Sequence, residues 1–481
     1  MAKIAFLQNF WIEWLGVMCL SAILKKEGHD TDIFIGSNRK IMKELGIYTP
    51  NVIAISAMNM QYNWLEDILI CLRKNNFTQP IIVGGPLPTF SPEKIIQLSG
   101  VDVICIGEGE GAIREFVDAV ENKKTFTKIE NLWIKKSEKK DSVGYFTDII
   151  RNPLRALEVE LDRLPYPDRE LYRKYRFFRS DKLYEIFLAG RGCPFNCSFC
   201  FNHQLRELYI GKGKSFRIRS PQNVVDEIKY VVKNYGAKNL IFSDSTLNLD
   251  KKWIIDFCTI FSEHIRLPIS CNIRADMMDD DIAKALSTVS CNPARFAIET
   301  GNEDLRNSVL CKKLTDQHIY HTVSLLKKYK IPFVTFSMMG LPTETLEMAW
   351  QTIYMNRRIR PIEVRINMFM PYPNLSITKY AQRHRLIDND SLKNMSRGRN
   401  KIFGSVLKQK DIKEVSNLHK FSILLIRFPK LEKLAKKLIK LPENIIFDGI
   451  YLISAVSEFL RLKISIKRFI IEIFKNIRGI R

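Results

Sequence analysis

Long uncharged apolar runs are missing from this 481-residue chain. No stretch of about eighteen such residues occurs, so nothing in it need span a membrane. The most apolar late segment, residues 445–462, is interrupted by Asp448, Glu458 and Arg461. The N-terminus reads MAKIAFLQNF, with no basic n-region, long apolar core or small-residue cleavage site, so no secretory signal is expected. Cysteine is too sparse, at 10 residues, for a disulfide scaffold. Reduced thiols and a cytoplasmic location are therefore expected. Histidine is scarce as well: His29 is the only one before residue 203. No short-period repeat or low-complexity tract is present.

What is there is a globular composition, 46% hydrophobic and 26% charged, long enough for two or three domains. The formal net charge of +23 fits either solvated lysines or an anionic partner. No nucleic-acid-binding motif accompanies it, so no nucleic acid is expected as a partner.

Residues 1–145 alternate strand and helix patterns. Apolar runs at Lys3–Leu7, Thr31–Ile35, Val52–Ser56, Ile81–Val83 and Val101–Ile106 are separated by helical periodicities, such as Leu15, Met18, Cys19, Ala22 and Ile23. This predicts an α/β domain with a doubly wound parallel sheet. Residues 146–182, with Asp162-Arg-Leu-Pro-Tyr-Pro-Asp168, are expected to be a linker. Residues 183–375 hold six further strand–helix units and suit a partial (β/α)6 barrel. Residues 376–481 look helical.

The chemistry-bearing motif is Arg191-Gly-Cys193-Pro-Phe-Asn-Cys197-Ser-Phe-Cys200, directly after the first strand of the second series. Three thiolates spaced C-x3-C-x2-C on one tight loop can bind three irons of a [4Fe–4S] cubane and leave the fourth iron open. Two plainer alternatives exist. A structural zinc site wants four closed ligands, usually two separated pairs. A redox C-x-x-C has no need of Cys193.

The triplet resembles that of the radical S-adenosylmethionine (SAM) superfamily, and other segments share the resemblance in order. They are Ser243-Asp244-Ser245, Asn272-Ile-Arg274, Ala297-Ile-Glu299-Thr-Gly301, Met339-Gly-Leu-Pro-Thr-Glu344-Thr and Met370-Pro-Tyr-Pro373-Asn. All fall at carboxyl ends of expected barrel strands. The resemblance implies SAM chelated to the open iron. Phe199 would lie by the adenine, Ser243, Asp244 and Ser245 by the amine, and Glu299 and Gly301 by the ribose, with Arg274 nearby.

The N-terminal region is similar to the cobalamin-binding class of that superfamily, which carries a flavodoxin-like (Rossmann-type) domain ahead of the barrel. The similarity rests on Trp14-Leu-Gly16-Val, Glu27-Gly28-His29, Gly84-Gly-Pro-Leu-Pro-Thr-Phe-Ser-Pro92, Gly107-Glu-Gly-Glu110 and the linker motif. It implies cobalamin held by Gly16, Ser56, Gly84, Gly85, Pro86, Thr89, Gly107, Glu108 and Gly109. The D-x-H-x-x-G signature is absent, so the cobalamin is expected base-off with no histidine ligand. Cys19, Cys71 and Cys105 are read as buried free thiols rather than a second cluster.

The implied activity is methyl transfer to an unactivated carbon (or phosphorus) of a small molecule or lipid, with an external electron donor such as flavodoxin or ferredoxin. Radical cyclisation, ring rearrangement or redox chemistry with the same cofactors is the alternative, and a non-enzymatic cobalamin-binding protein is a further one. In the tail, Ile466, Phe469, Ile470, Ile473, Phe474 and Ile477 recur at helical spacing among basic residues. This fits a helix packed on the barrel, or a peripheral membrane contact.

Overall fold

Adjacent apolar residues of the first strand point to opposite sides. Ile4 and Phe6 enter one buried cluster with Val17, Met18 and Phe116, while Ala5 and Leu7 enter another with Ile53, Leu65 and Leu69. A strand buried on both faces needs helices on both faces, which is the doubly wound arrangement. The computed structural model describes residues 1–140, 145–179, 184–396 and 404–461.

The first sheet is built from β1 (Lys3–Gln8), β2 (Asp30–Ile35), β3 (Val52–Ser56), β4 (Ile81–Gly84), β5 (Val103–Cys105), β6 (Leu132–Lys140) and β7 (Tyr145–Arg151). Its order is β2-β1-β3-β4-β5-β6-β7. The first five strands are parallel. Their 2-1-3-4-5 order is flavodoxin-like, with its reversal between β1 and β3, where such sheets bind ligands. The antiparallel hairpin β6–β7 was not expected from sequence. Lys135, Lys136, Lys139 and Lys140 of β6 break the apolar alternation by which a strand is recognised. It carries the first sheet to Arg151, past the expected boundary at 145.

The expected linker is packed rather than free. Tyr172 donates its hydroxyl to Gln8 (2.8 Å), and the Tyr175 hydroxyl accepts from the Ile35 amide (2.9 Å). Buried Arg169 pairs with Glu185 at 3.0 Å and Glu227 at 2.8 Å.

The second series holds β8 (Glu185–Phe187), the short pair β9 (Gly190–Arg191) and β10 (Arg217–Ile218), then β11 (Leu240–Phe242), β12 (Ile269–Asn272), β13 (Ala294–Glu299), β14 (Phe333–Met339) and β15 (Glu363–Met368). Six of them form one parallel sheet in the order β15-β14-β13-β12-β11-β8. Sequential order with a helix after most strands makes an open (β/α)6 barrel, as expected. Its free edge, β15, is closed by the helices Ile412–Arg427 and Ile445–Arg461. The Val364 amide donates to Glu458 (2.9 Å), and the Ile366 carbonyl accepts from the Tyr451 hydroxyl (3.2 Å) and meets the His419 ring at 2.9 Å. Burial pushes the His419 imidazole down to about 4, so it stays neutral beside that carbonyl. The expected tail helix, residues 466–477, lies outside the described residues. Among the described residues no helix is long and apolar enough to cross a membrane.

Arg169→Met should destabilise the barrel by about 3 kcal/mol, because buried Glu185 loses the Arg169 cation while Glu227 keeps Arg219 at 2.5 Å. Urea unfolding followed by tryptophan fluorescence measures it; an unchanged midpoint would show the pairs to be energetically idle.

Candidate functional site

The site lies where the carboxyl edge of the first sheet faces the mouth of the barrel. A cavity of about 400 Å³ runs along this seam. On one side it is lined by Gly16, Ser56, Gly84, Gly85, Gly107, Glu108 and Gly109, and on the other by Cys193, Ser243 and Ser245. A second cavity of about 550 Å³ adjoins it, sharing Gly85, Gly107, Glu108, Asn202 and Leu205, and adds Pro86 and Thr89. All nine expected cobalamin contacts thus line one or both cavities.

Part of the first cavity is an apolar slot inside the N-terminal domain, between Phe6, Ala54 and Ile82 of the sheet and Leu20 and Ile113 of flanking helices. A Cβ on Gly16 would meet nothing within 4 Å, so this glycine faces open space. Gly107 has a different reason to be glycine. Its φ is +76°, and an added Cβ would overlap Tyr209, whose hydroxyl accepts from the Glu108 amide at 2.9 Å. Thr89 ties the loops together, donating to the Gly85 carbonyl (2.8 Å) and accepting from the Gly107 amide (3.0 Å). Cys19 and Cys105 also line the slot, and burial pushes both thiols up to about 12.

Neither cavity is lined by histidine. His29 sits elsewhere, 3.4 Å from Glu121 and 3.3 Å from the Ala2 amide.

Charge closes the seam. Glu108 takes a two-point contact from Arg217, at 2.5 and 3.1 Å, and Glu110 accepts from Arg191 at 2.5 Å. Burial alone would raise the Glu110 carboxyl, but the Arg191 guanidinium outweighs it and holds the group below its ordinary value. From sequence, Glu108 is expected at the corrinoid and Glu110 in the same loop motif, but neither their pairing with Arg217 and Arg191 nor a role for Arg217 is apparent. Nothing in their spacing announces a pairing across about a hundred residues.

The cysteine loop is anchored from below. The Ser198 amide donates to the Leu310 carbonyl (3.0 Å) and its hydroxyl to that of Val309 (2.6 Å). Buried Arg274 lies 3.9 Å from the Cys197 sulfur, stacks on Phe195 at 3.5 Å and pairs with Asp276 at 2.7 Å. Burial raises the Cys197 thiol, while Lys312 and Arg274 pull it back toward thiolate. Lys312, which sequence reading missed, is buried and ion-paired with Glu299. Glu299 itself has φ +63° at a register shift between β13 and β14. A non-glycine residue in that region is strained, and bulges re-aim side chains, both frequent at functional sites. Among the described residues, no three or more His, Cys, Asp or Glu side chains gather closely enough to hold a single metal ion. A cubane binds each thiolate at a different iron and makes no such demand.

The other expected SAM residues have distinct surroundings. Phe199 is half-buried with Phe201 and Tyr372. Gly301 lies so close to Gln351 and Thr352 that any side chain would overlap their backbone, and its amide donates to the Thr352 hydroxyl at 2.8 Å. Asp244 points inward, accepting from the amides of Ala189 (3.1 Å) and Gly190 (2.6 Å) just ahead of the cysteine loop. Burial pushes its carboxyl up to about 6.

That raised carboxyl carries a pH signature. A carboxyl raised on folding is stabilising below its unfolded value, near 3.8, and the benefit is lost as pH rises through about 6. Asp244→Asn should therefore flatten the fall in stability between pH 4 and 7, which for one proton is at most about 1.4 kcal/mol for each pH step of one. Denaturation midpoints of both proteins across that range test this, and parallel curves would refute it. Replacing Cys193, Cys197 and Cys200 together by Ala should abolish iron uptake on anaerobic reconstitution. A variant retaining the wild-type iron load would exclude the loop as the cluster site.

Comparison with known proteins agrees with this geometry. The profile of the radical SAM superfamily matches residues 187–354, and that of the B12 binding domain matches residues 9–117. An uncharacterized methyltransferase of Pyrococcus horikoshii is 26% identical over 381 residues, covering 78% of this chain and 79% of the relative. An anaerobic magnesium-protoporphyrin IX monomethyl ester cyclase of Rubrivivax gelatinosus is 24% identical over 374 residues; the match spans 74% of this chain and 64% of the cyclase. The cobalamin-dependent SAM radical enzyme OxsB, solved with aqua-cobalamin and SAM, superposes with a TM-score of 0.70 at 16% identity, covering 96% of this chain and 72% of OxsB. The two domains imply a [4Fe–4S] cluster, SAM and cobalamin, and the chain is an enzyme belonging to the cobalamin-binding radical SAM superfamily.

Proposed function

We propose that this enzyme transfers a methyl group from SAM to an unactivated carbon (or phosphorus) of a small molecule, using base-off cobalamin. The observation that carries the reading is the shared cavity, whose lining joins Cys193 and the Ser243–Ser245 strand end to the glycine-rich edge of the B12 binding domain. When bound, the cluster supplies the electron that cleaves SAM, and the corrinoid relays the methyl group.

The residues divide this work. Cys193, Cys197 and Cys200 hold the cluster, and Arg274 and Lys312 favour the thiolate form of Cys197. Ser243, Ser245 and Phe199 form the SAM side of the site, and Glu299, aimed by its bulge, approaches from β13. Asp244 positions the strand end through its two amide contacts. Gly84, Gly85, Gly107 and Gly109 let backbone approach the corrinoid. The apolar slot beside Gly16 suits the displaced nucleotide base, and the histidine-free lining fits the absence of a protein ligand to cobalt. An external electron donor such as flavodoxin or ferredoxin completes the set.

Gly16→Phe should fill the slot and abolish cobalamin retention while leaving the cluster absorbance near its wild-type level. Undiminished cobalamin binding would remove the slot from the proposal. The reaction itself is read with methyl-labelled SAM. Reconstituted full-length protein given a metabolite extract should yield a labelled product one carbon heavier. SAM cleavage with an unlabelled product would favour the ring-forming or redox alternative, to which the cyclase relative gives weaker support.

A further inference from the structure

The helix Ile445–Arg461 has a buried face and, opposite it, an exposed apolar one. One face carries Phe447, Ser454 and Glu458, buried against the barrel edge. The other carries Ile445, Ile446, Leu452 and Ile453, which are 83%, 70%, 52% and 73% exposed. Their spacing of one, seven and eight residues from the first puts them on a single stripe. The acidic residues of this helix are engaged elsewhere: Asp448 pairs with Lys420 at 2.9 Å, and Glu458 with Arg427. Solvated helix faces are ordinarily polar, and a contiguous exposed apolar face marks an interaction surface.

The residues just before this helix indicate what covers it. Between 428 and 441, exposed Phe428, Leu434 and Leu441 alternate with exposed Lys430, Lys433, Lys437 and Lys440. Residues 428–481 hold twelve Lys or Arg against five Asp or Glu. A second copy of the chain would bring two such basic segments together, and the chain's own basic residues beyond 461 would add like charge to these lysines. Both arrangements oppose like charges. Nucleic acid would satisfy the lysines but has no use for a stripe of isoleucine and leucine. An anionic lipid surface satisfies both, taking the aliphatic face into the acyl boundary and the lysines among the headgroups.

We propose that the Phe428–Ile453 surface is a peripheral docking site for anionic membranes. It needs no spanning segment and does not involve the cavity at the domain seam.

The test is sedimentation of the full-length protein with phosphatidylcholine vesicles, with and without phosphatidylglycerol. Binding is expected only to the anionic vesicles, weakening as salt is raised. The double variant Ile446→Glu/Ile453→Glu should lose binding. Replacing Lys430, Lys433, Lys437 and Lys440 by Gln should weaken it by about tenfold or more. The mutated residues are exposed, so circular dichroism melting should match wild type and certify folded variants. Any of the following results would overturn the proposal. These are no sedimentation with anionic vesicles, equal binding to neutral ones, unchanged binding by the Ile446→Glu/Ile453→Glu variant, or vesicle-free self-association that this variant abolishes. Binding of single-stranded RNA in place of vesicles, lost in the lysine variant, would likewise assign the surface to nucleic acid.

Discussion

Two guanidinium groups facing two carboxylates hold the domain seam, and the functional geometry depends on them. Arg191 and Arg217 are cross-strand partners in the β9–β10 pair, and Glu108 and Glu110 come from the loop after β5. Arg191 stands two residues ahead of Cys193, and Glu108 and Glu110 flank Gly109. The quartet therefore fixes the cysteine loop relative to the edge of the B12 binding domain. Buried ion pairs add little net stability over an apolar contact, because desolvation offsets attraction. Breaking one is nevertheless costly, since a buried charge is left alone. Such a seam resists sliding and hinging without adding much to overall stability, a useful property where two large cofactors must meet in one register.

A second constraint acts beneath the cysteine loop. Arg274 and Lys312 place positive charge by Cys197, and Glu299 and Asp276 balance it. The arrangement is nearly neutral as a whole but polarised toward the sulfur. It opposes the rise that burial imposes on the Cys197 thiol and would partly offset the negative charge of a thiolate-bound cluster. Glu299 cannot be moved independently, because its left-handed backbone and the bulge in β13 belong to the same local distortion.

Sequence exposes these features unequally. The cysteine triplet, the strand-end motifs and the glycine-rich loops are legible because each is a local pattern imposed by local chemistry. The six-unit barrel is legible because each unit repeats a strand-then-helix periodicity. Lys312, Arg191 and Arg217 are not, since their roles exist only across distances of tens to a hundred residues, and one lysine among many carries no mark. The β6–β7 hairpin escapes for a different reason: β6 is so rich in lysine that it reads as loop. The linker motif is visible, but its packing is not. Arg169 looks like one more surface arginine until the fold puts Glu185 and Glu227 around it.

The C-terminal helices show how one requirement creates another. An open six-stranded barrel leaves β15 with unpaired backbone groups, and an uncovered edge invites pairing with other chains. Here the edge is covered by side chains: Glu458 receives the Val364 amide, while His419 and Tyr451 meet the Ile366 carbonyl. Side chains can do this only if held against the strand by a well-packed helix face, which Phe421, Phe447 and their neighbours provide. That requirement fixes one face of the Ile445–Arg461 helix as inward and leaves the opposite face to solvent. Closing the barrel therefore explains why the inner face is buried and hydrogen-bonded. It does not require isoleucine on the outer face, so the outer stripe answers to something other than the fold.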